Sequence, residues 1–317
     1  MKLAKDIAIA VKGFLMGAAN VVPGVSGGTI ALISGIYEEL VDSLDAVMSP
    51  APWKALLKGQ FKEFWQGIHG RFLLCLVIGV AASVFSLAKL VEHELAHNPI
   101  LVWAFFFGLI LASAYYMLHD IKGWKWKDLL ITIIGVVLGL VVCTLSPTTT
   151  PDSYWFIFLC GAIAICTMIL PGISGSFILV ILGKYDYIMS AVSEMNIPVL
   201  IIFALGCGVG ILAFAKFLHW LLGKWERQTM LVLVGFVIGS LVKVWPWNDP
   251  DSCAHAQMLR SDILPEGLVD GSVDSALDML QGMGETLDLQ MAGAIIWCIL
   301  GIALIVLIQL LGKHSKK

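Results

Sequence analysis

The chain alternates long apolar runs with short polar connections, and the lengths of the apolar runs predict a helical membrane protein. A helix that crosses the hydrocarbon layer of a bilayer needs about 20 mostly apolar residues. Six runs meet or approach this length, and we expect each to be a membrane-spanning helix. They are residues 72–91, 99–118, 128–146, 198–221, 229–246 and 290–311.

Two further apolar runs are shorter and are interrupted. Residues 8–22 and 155–170 offer about 15 residues each, or about 23 Å of helix, before the chain reaches Pro-Gly-x-Ser-Gly and a second apolar arm. A kinked ordinary span fits this pattern. We favour re-entrant helical hairpins over 8–44 and 155–192, which dip into the membrane and return to the same side. Broken backbone at membrane depth is tolerated where protein or a water-filled cavity receives its polar groups.

Composition and charge support a membrane protein and suggest its orientation. The 317 residues are 59% hydrophobic and only 14% charged, with a mean hydropathy of +0.89. A soluble globular domain, which carries about 25% charged residues, is therefore excluded. Of the 20 basic residues, 15 fall in segments that would be cytoplasmic if both termini were cytoplasmic, while the long connection 247–289 carries nine acids and only Arg260. This asymmetry predicts cytoplasmic termini and an extracytoplasmic insertion at 247–289.

An internal repeat relates the two halves of the chain. Five residues of the first hairpin recur at one fixed offset in the second, and a further set recurs at another offset along the following spans. The first set pairs Gly24, Ser26, Gly27, Gly35 and Tyr37 with Gly172, Ser174, Gly175, Gly183 and Tyr185; the second pairs Gly79, Ala88, Lys89, Gly108 and Ser113 with Gly206, Ala215, Lys216, Gly235 and Ser240.

Each half, 1–146 and 147–317, is therefore predicted to be a re-entrant hairpin followed by three spans. Three crossings separate the halves, so the second half should be inverted relative to the first. This all-α, inverted-repeat architecture with broken helices is typical of secondary transporters. Residues 50–70, in which aromatic side chains alternate with lysines, are expected to form an amphipathic helix on the inner surface.

The two Pro-Gly-x-Ser-Gly tips have the composition of anion-binding sites. Proline ends the first arm, and the glycines permit left-handed backbone conformations. Successive main-chain amides can then converge on an anion, with a serine hydroxyl beside them. Glycines that only allow close helix packing are the alternative. The candidate phosphate-binding residues are Gly24, Ser26, Gly27, Gly28 and Thr29 in the first tip and Gly172, Ser174, Gly175 and Ser176 in the second.

A few charged residues near these tips are candidates for assisting an anion. Lys89 and Lys216 occupy equivalent positions of the repeat, and Lys184 follows the second tip. Lysines inside a membrane are often functional, although snorkelling to the interface explains them as well. Glu38 and Asp186 are also equivalent and could carry coupling protons, or simply end the hairpins in water. No cofactor or metal ion is expected.

Three other interpretations of the function remain open. The tips contain G-x-S-G, which resembles the nucleophile motif of rhomboid proteases, but a serine nucleophile needs a histidine beside it and every histidine falls in a loop or at a span end. Residues 93–97 spell H-E-x-x-H, a zinc-protease motif, yet they fall in a predicted short external loop with no evident third ligand. A small-anion transporter or channel would suit the same tips. We expect a transporter rather than an enzyme.

The doubled motif, together with hairpins and spans that cover nearly the whole chain, resembles the bacterial polyprenyl-phosphate transporter family, formerly described as a domain of unknown function. This resemblance implies a flippase that returns undecaprenyl phosphate from the outer to the inner leaflet, for reuse in peptidoglycan and other cell-envelope polymers. The lipid partner is implied by the resemblance alone; the residues themselves indicate an anion-binding transporter. A homo-oligomer is compatible with the sequence, and no nucleic-acid partner is expected.

Overall fold

A computed structural model describes residues 2–21, 26–261, 276–283 and 285–314, and these residues form an all-helical protein. Fifteen helices lie within these ranges. They are α1 (Lys2–Val21), α2 (Gly27–Ile33), α3 (Tyr37–Met48), α4 (Pro50–Leu57), α5 (Phe61–Gly67), α6 (Gly70–His97), α7 (Pro99–Asp120), α8 (Trp126–Cys143), α9 (Tyr154–Ile169), α10 (Gly175–Ile181), α11 (Tyr185–Ser193), α12 (Ile197–Ser240), α13 (Pro250–Arg260), α14 (Ala276–Gly282) and α15 (Met291–His314).

Among the described helices, α6, α7, α8 and α12 are long and apolar enough to cross a membrane. Helix α12 has 44 residues, about twice the length that a bilayer requires. Its backbone leaves helical geometry at Trp225 (φ −139°, ψ 49°), which divides it into two arms. These arms correspond to the predicted spans 198–221 and 229–246, and α15 corresponds to the last predicted span.

Glycines bring the backbones of neighbouring helices into direct contact. Gly135 and Gly139 of α8 face Gly235 and Gly239 of α12, so that two small-xxx-small patterns cross. A Cβ atom placed on Gly235 would lie 2.2 Å from the carbonyl oxygen of Thr132. Any larger side chain at these positions would therefore push the two helices apart.

The same kind of glycine contact occurs at equivalent positions of the two halves. A Cβ atom on Gly13 of α1 would lie 2.3 Å from the Leu76 carbonyl oxygen of α6, and one on Gly161 of α9 would lie 2.3 Å from the Phe203 carbonyl oxygen of α12. Gly13 and Gly161 are separated by the same offset as the two motif serines. Helix α1 thus packs against α6 in the same manner as α9 packs against α12.

The surface segment at 50–70 differs from the single helix expected from its sequence. Gly59 adopts a left-handed conformation (φ +75°) and separates the short helices α4 and α5. The Trp53 and Phe64 rings hold the two helices together with their centroids 5.2 Å apart. Leu57 and Phe61 remain strongly exposed at the turn. The segment is therefore a small helical hairpin with an apolar tip.

The acidic segment 247–289 contains local helical structure. Helices α13 and α14 pack through Ala254, Met258, Ala276 and Leu280, while residues 262–275 lie outside the described ranges. Asp251 stabilises the start of α14 by accepting a hydrogen bond from the amide of Leu277 at 3.0 Å. The insertion therefore has a small hydrophobic core of its own.

Cys253 in this insertion should resist alkylation. Burial raises the pKa of its thiol to about 11, so at pH 8 the reactive thiolate is about 100-fold rarer than for an ordinary cysteine. We expect native full-length protein to label slowly with a maleimide at Cys253, as measured by peptide mass spectrometry. A Ser252→Cys variant provides the matched exposed control. Equal labelling rates at the two positions would contradict the buried environment.

The chain divides into two compact units, Met1–Phe85 with Met117–Ser240, and Ser86–Tyr116 with Leu241–Lys317. These units do not coincide with the halves 1–146 and 147–317, which are defined by sequence similarity and remain a prediction. Both motif tips belong to the first unit.

Candidate functional site

Each motif serine precedes a new short helix, so that the two tips share one pattern of helix starts and ends from the serine onward. Ser26 and Ser174 are extended N-cap residues, and α2 and α10 begin one residue later. Both short helices end at a glycine in the left-handed region, Gly35 (φ +69°) and Gly183 (φ +61°). The helices that follow begin at equivalent tyrosines. The interruptions predicted from the sequence are therefore present at Ser26 and Ser174.

The two tips touch each other, although about 145 residues separate them in the chain. The Ser26 hydroxyl lies 3.1 Å from the carbonyl oxygen of Leu170 and 3.3 Å from that of Met168, and donates to them. In the opposite sense, the Gly172 amide donates to Thr29 Oγ1 at 2.7 Å. Ser26 is 1% exposed and Thr29 is 0% exposed. A buried, polar contact thus joins the first tip to the second.

Main-chain amides of the first tip are already hydrogen-bonded in this arrangement. The Gly27 amide donates to Asn20 Oδ1 at 2.7 Å, and the Gly28 amide donates to Ser26 Oγ at 3.1 Å. The Thr29 amide donates to the Ser26 carbonyl oxygen at 3.0 Å. An anion that approached these donors would have to replace protein acceptors. Gly24, the remaining candidate of this tip, lies outside the described residues.

The second tip is arranged differently from the first. Ser174 does not cap α10; its hydroxyl lies 2.6 Å from that of Ser176, which is exposed. Gly172 adopts a left-handed conformation (φ +93°), and a Cβ atom there would lie 2.9 Å from Ser240 Oγ. The first-turn amides of α10, which begins at Gly175, have no acceptor within their own helix. Hydroxyl groups are therefore more accessible at this tip.

The charged candidates have different environments. Lys184 is 3% exposed, and its ammonium group donates to the Thr150 carbonyl oxygen at 2.6 Å and to Asp152 Oδ1 at 2.7 Å. Because Asp152 neutralises it, Lys184 fits a role in fastening the second hairpin better than one in attracting phosphate. Lys216 is exposed on α12, whereas the side chain of Lys89 on α6 lies outside the described residues.

The two candidate coupling residues occupy matching positions. Glu38 and Asp186 both lie in the first turn of the helix that follows a short helix, and both are exposed. Exposure to water is sufficient to explain why Glu38 and Asp186 are charged residues.

Sequence reasoning missed Asn20 and the carbonyl groups of Met168 and Leu170. Asn20 is a polar residue inside an apolar run, and this was the only signal for it. The acceptor role of the two carbonyl groups depends on main-chain geometry rather than on residue type. Sequence reasoning also missed the role of Lys12 in joining α1 to the end of α2. Its ammonium group donates to the Ser34 carbonyl oxygen at 2.7 Å.

Among the described residues, the structure supports neither protease hypothesis with a catalytic arrangement of side chains. The described hydrogen bonds of the motif serine hydroxyls involve main-chain groups and the Ser174–Ser176 pair, rather than an imidazole. The H-E-x-x-H segment lies in the last turns of α6, so the expected loop was wrong. His93 and His97 stack with ring centroids 4.1 Å apart, but no group of three or more potential metal ligands occurs among the described residues.

Broken helices that meet through polar groups are a feature of secondary transporters. The chain is a member of the VCA0040-like family, which is described as undecaprenyl phosphate translocase-like and whose profile matches residues 16–261.

Two relatives carry the same functional name. The chain is 44% identical over 242 residues to a polyprenyl-phosphate transporter of Vibrio cholerae, a match that covers 75% of this chain and 77% of the relative. It is 32% identical over 254 residues to a polyprenyl-phosphate transporter of Staphylococcus aureus, covering 74% of this chain and 84% of the relative. No solved structure matches the chain significantly.

Proposed function

We propose that this protein returns undecaprenyl phosphate from the outer to the inner leaflet of the bacterial cytoplasmic membrane, where the lipid is reused for cell-envelope polymers such as peptidoglycan. The observation that carries the proposal is the buried contact in which Ser26, Thr29 and Gly172 bring the two tips together. Family membership supports the lipid as substrate. The hydroxyl and amide donors of the tips support recognition of its phosphate.

The proposed architecture is an inverted repeat of two re-entrant hairpins, each followed by three spans, with both termini in the cytoplasm. A bend of 111° between α10 and α11 lies within the second arm of this hairpin and fits a re-entrant loop or a broken span. Equivalent glycine contacts in the two halves support the repeat, and the distribution of lysine and arginine supports the orientation. In such an arrangement the tips approach one another from opposite leaflets.

Phosphate binding is proposed to exchange contacts between the tips for contacts with the substrate. The Ser26 hydroxyl and the amides of Gly27 and Gly172 now donate to protein oxygens. A phosphate oxygen can accept from the same donors, and hydrogen bonds to a charged group contribute about 1.5–3 kcal/mol, against about 1 kcal/mol for neutral pairs. The substrate thus separates the tips without leaving buried donors unpaired, and the empty tips close on one another.

The remaining candidates have proposed roles around this exchange. Ser174, Gly175 and Ser176 offer donors from the second tip, and Gly24 and Gly28 shape the first. Lys89 and Lys216 attract the head group, and Glu38 and Asp186 carry protons if transport is proton-coupled. The polyprenyl tail stays in the bilayer while the head group passes between the tips by alternating access.

Reconstitution into liposomes with labelled undecaprenyl phosphate tests the proposal. Ser26→Ala is expected to slow inward flipping by about tenfold or more, since it removes a donor worth about 1.5–3 kcal/mol to the phosphate. Ser190→Ala, at an exposed position of α11, is the matched control and should transport like the unmodified protein. Equal rates for the two variants would refute the role of the tips. Uptake of free inorganic phosphate as fast as the lipid would instead indicate a small-anion carrier.

A further inference from the structure

A cavity of about 710 Å³ opens where α6 begins, and none of its lining residues belongs to the two tips. It lies within the first compact unit, between α1, α3, α5 and the start of α6. Its walls are formed by Lys5, Asp6, Ile9, Glu39, Trp65, Gln66, His69, Gly70, Arg71 and Phe72.

The position of the cavity along α6 corresponds to the depth of lipid head groups. The apolar stretch of this helix begins at Gly70, so the cavity lies where the chain passes from water into hydrocarbon. The neighbouring helix α5 exposes Phe61 (70%) and Trp65 (43%), and aromatic side chains favour this interface. A membrane lipid therefore has direct access to the cavity.

Besides the Arg71–Asp6 ion pair, the lining carries one charged group of each sign. Arg71 and Asp6 neutralise each other through two hydrogen bonds, one of which joins Nε to Oδ1 at 2.8 Å. The hydrogen bond from Arg71 lowers the pKa of Asp6, which keeps that carboxylate ionised and engaged. Lys5 and Glu39 are the other charged residues of the wall. A ligand that carries both a negative and a positive charge is complementary to this pair.

His69 has an uncommon backbone and an oriented ring. Its φ of 53° lies in the left-handed region, which residues other than glycine adopt infrequently, and it directly follows Ile68, the C-cap of α5. The buried Ser43 hydroxyl donates its only proton to the Glu39 carbonyl oxygen at 2.5 Å, so it accepts from His69 Nδ1, which lies 3.3 Å away. In the neutral ring Nε2 then carries a lone pair, so it can accept a hydrogen bond from a ligand.

We propose that this cavity binds the head group of an aminophospholipid, in which a phosphodiester is joined to a primary ammonium group. Lys5 binds the phosphate, Glu39 and the His69 Nε2 lone pair accept hydrogen bonds from the ammonium group, and the Trp65 ring packs against that group. A purely anionic head group would leave Glu39 without a partner. A trimethylated ammonium group has no N–H and could not donate hydrogen bonds to Glu39. This lipid site is independent of the proposed transport activity.

Lipid retention by delipidated full-length protein tests the site. We expect native mass spectrometry, after incubation with equal amounts of each lipid, to show phosphatidylethanolamine retained about tenfold more than phosphatidylcholine or phosphatidylglycerol. Glu39→Gln should abolish the preference over phosphatidylglycerol. His69→Asn, which tolerates the left-handed backbone but lacks the imidazole, should weaken retention. Glu63→Gln, on α5 but outside the cavity wall, should leave retention unchanged.

Several results would overturn the assignment. Equal retention of the three lipids would refute it, as would equal losses for Glu39→Gln and Glu63→Gln when both variants keep the melting temperature of the parent. Displacement of the lipid by an equal concentration of soluble glycerophosphoethanolamine would indicate a soluble ligand instead. Stronger, Glu39-insensitive retention of undecaprenyl phosphate would assign the cavity to the transport pathway and refute the aminophospholipid site.

Discussion

Gly28→Ala is expected to abolish transport, because the new Cβ atom would lie 2.5 Å from the carbonyl oxygen of Ile169. That oxygen belongs to the main chain of α9 and cannot move without shifting the second hairpin against the first. Overpacking of this kind typically costs about 1–3 kcal/mol. We therefore expect both a lower melting temperature and the loss of undecaprenyl phosphate flipping in liposomes.

Gly208→Ala is the matched control for this substitution. Gly208 also lies within a helix, α12, but no atom of the described residues lies within 4 Å of an added Cβ atom. Alanine is favoured over glycine in a helix by about 1 kcal/mol, so this variant should be as stable as the parent or slightly more stable. If Gly28→Ala flipped lipid as fast as Gly208→Ala, close contact of the tips would not be needed for transport.

Thr29→Val should weaken the closed arrangement of the tips. The substitution nearly preserves the shape of the side chain but removes the oxygen that accepts from the Gly172 amide at 2.7 Å. A buried amide left without an acceptor costs about 1–3 kcal/mol. We expect a lower melting temperature for the empty protein. Thr29→Ser keeps the hydroxyl and should melt close to the parent.

Added undecaprenyl phosphate should change the melting temperatures of these two variants by different amounts. In the proposed exchange, a phosphate oxygen takes the place of Thr29 on the Gly172 amide. The lipid should therefore raise the melting temperature of Thr29→Val by more than it raises that of Thr29→Ser. The same lipid-induced shift in both variants would mean that phosphate does not reach the Gly172 amide.

Local features of the tips were predictable because they depend on residues that are neighbours in the chain. A proline followed by glycines in an apolar run predicts an interruption and then a second arm, and in the structure α2 and α10 begin directly after Ser26 and Ser174. The left-handed residues that end these helices are glycines for the same local reason. Spans could be predicted from the length of apolar runs, since a bilayer sets a minimum length for a helix.

Other features depended on partners that are distant in the sequence. The role of Lys184 is one example, because Asp152, which neutralises it, lies 32 residues earlier in a connection with no recognisable pattern. Asn20 is another, since nothing in its sequence context identifies the Gly27 amide as its partner. The division of residues 50–70 into α4 and α5 depends on the backbone of Gly59, which sequence periodicity does not reveal.

The sequence by itself determined the class of this protein, an all-helical membrane protein with two interrupted helices, because hydropathy and backbone restrictions act over short stretches of chain. Only the tertiary structure decided that Ser26 donates to the second tip while Gly172 donates to the first. The physical reason is that buried donors and acceptors must be paired. The sequence shows where such polar groups occur along the chain. The packing of helices that are distant in the sequence determines which of these groups come within hydrogen-bonding distance.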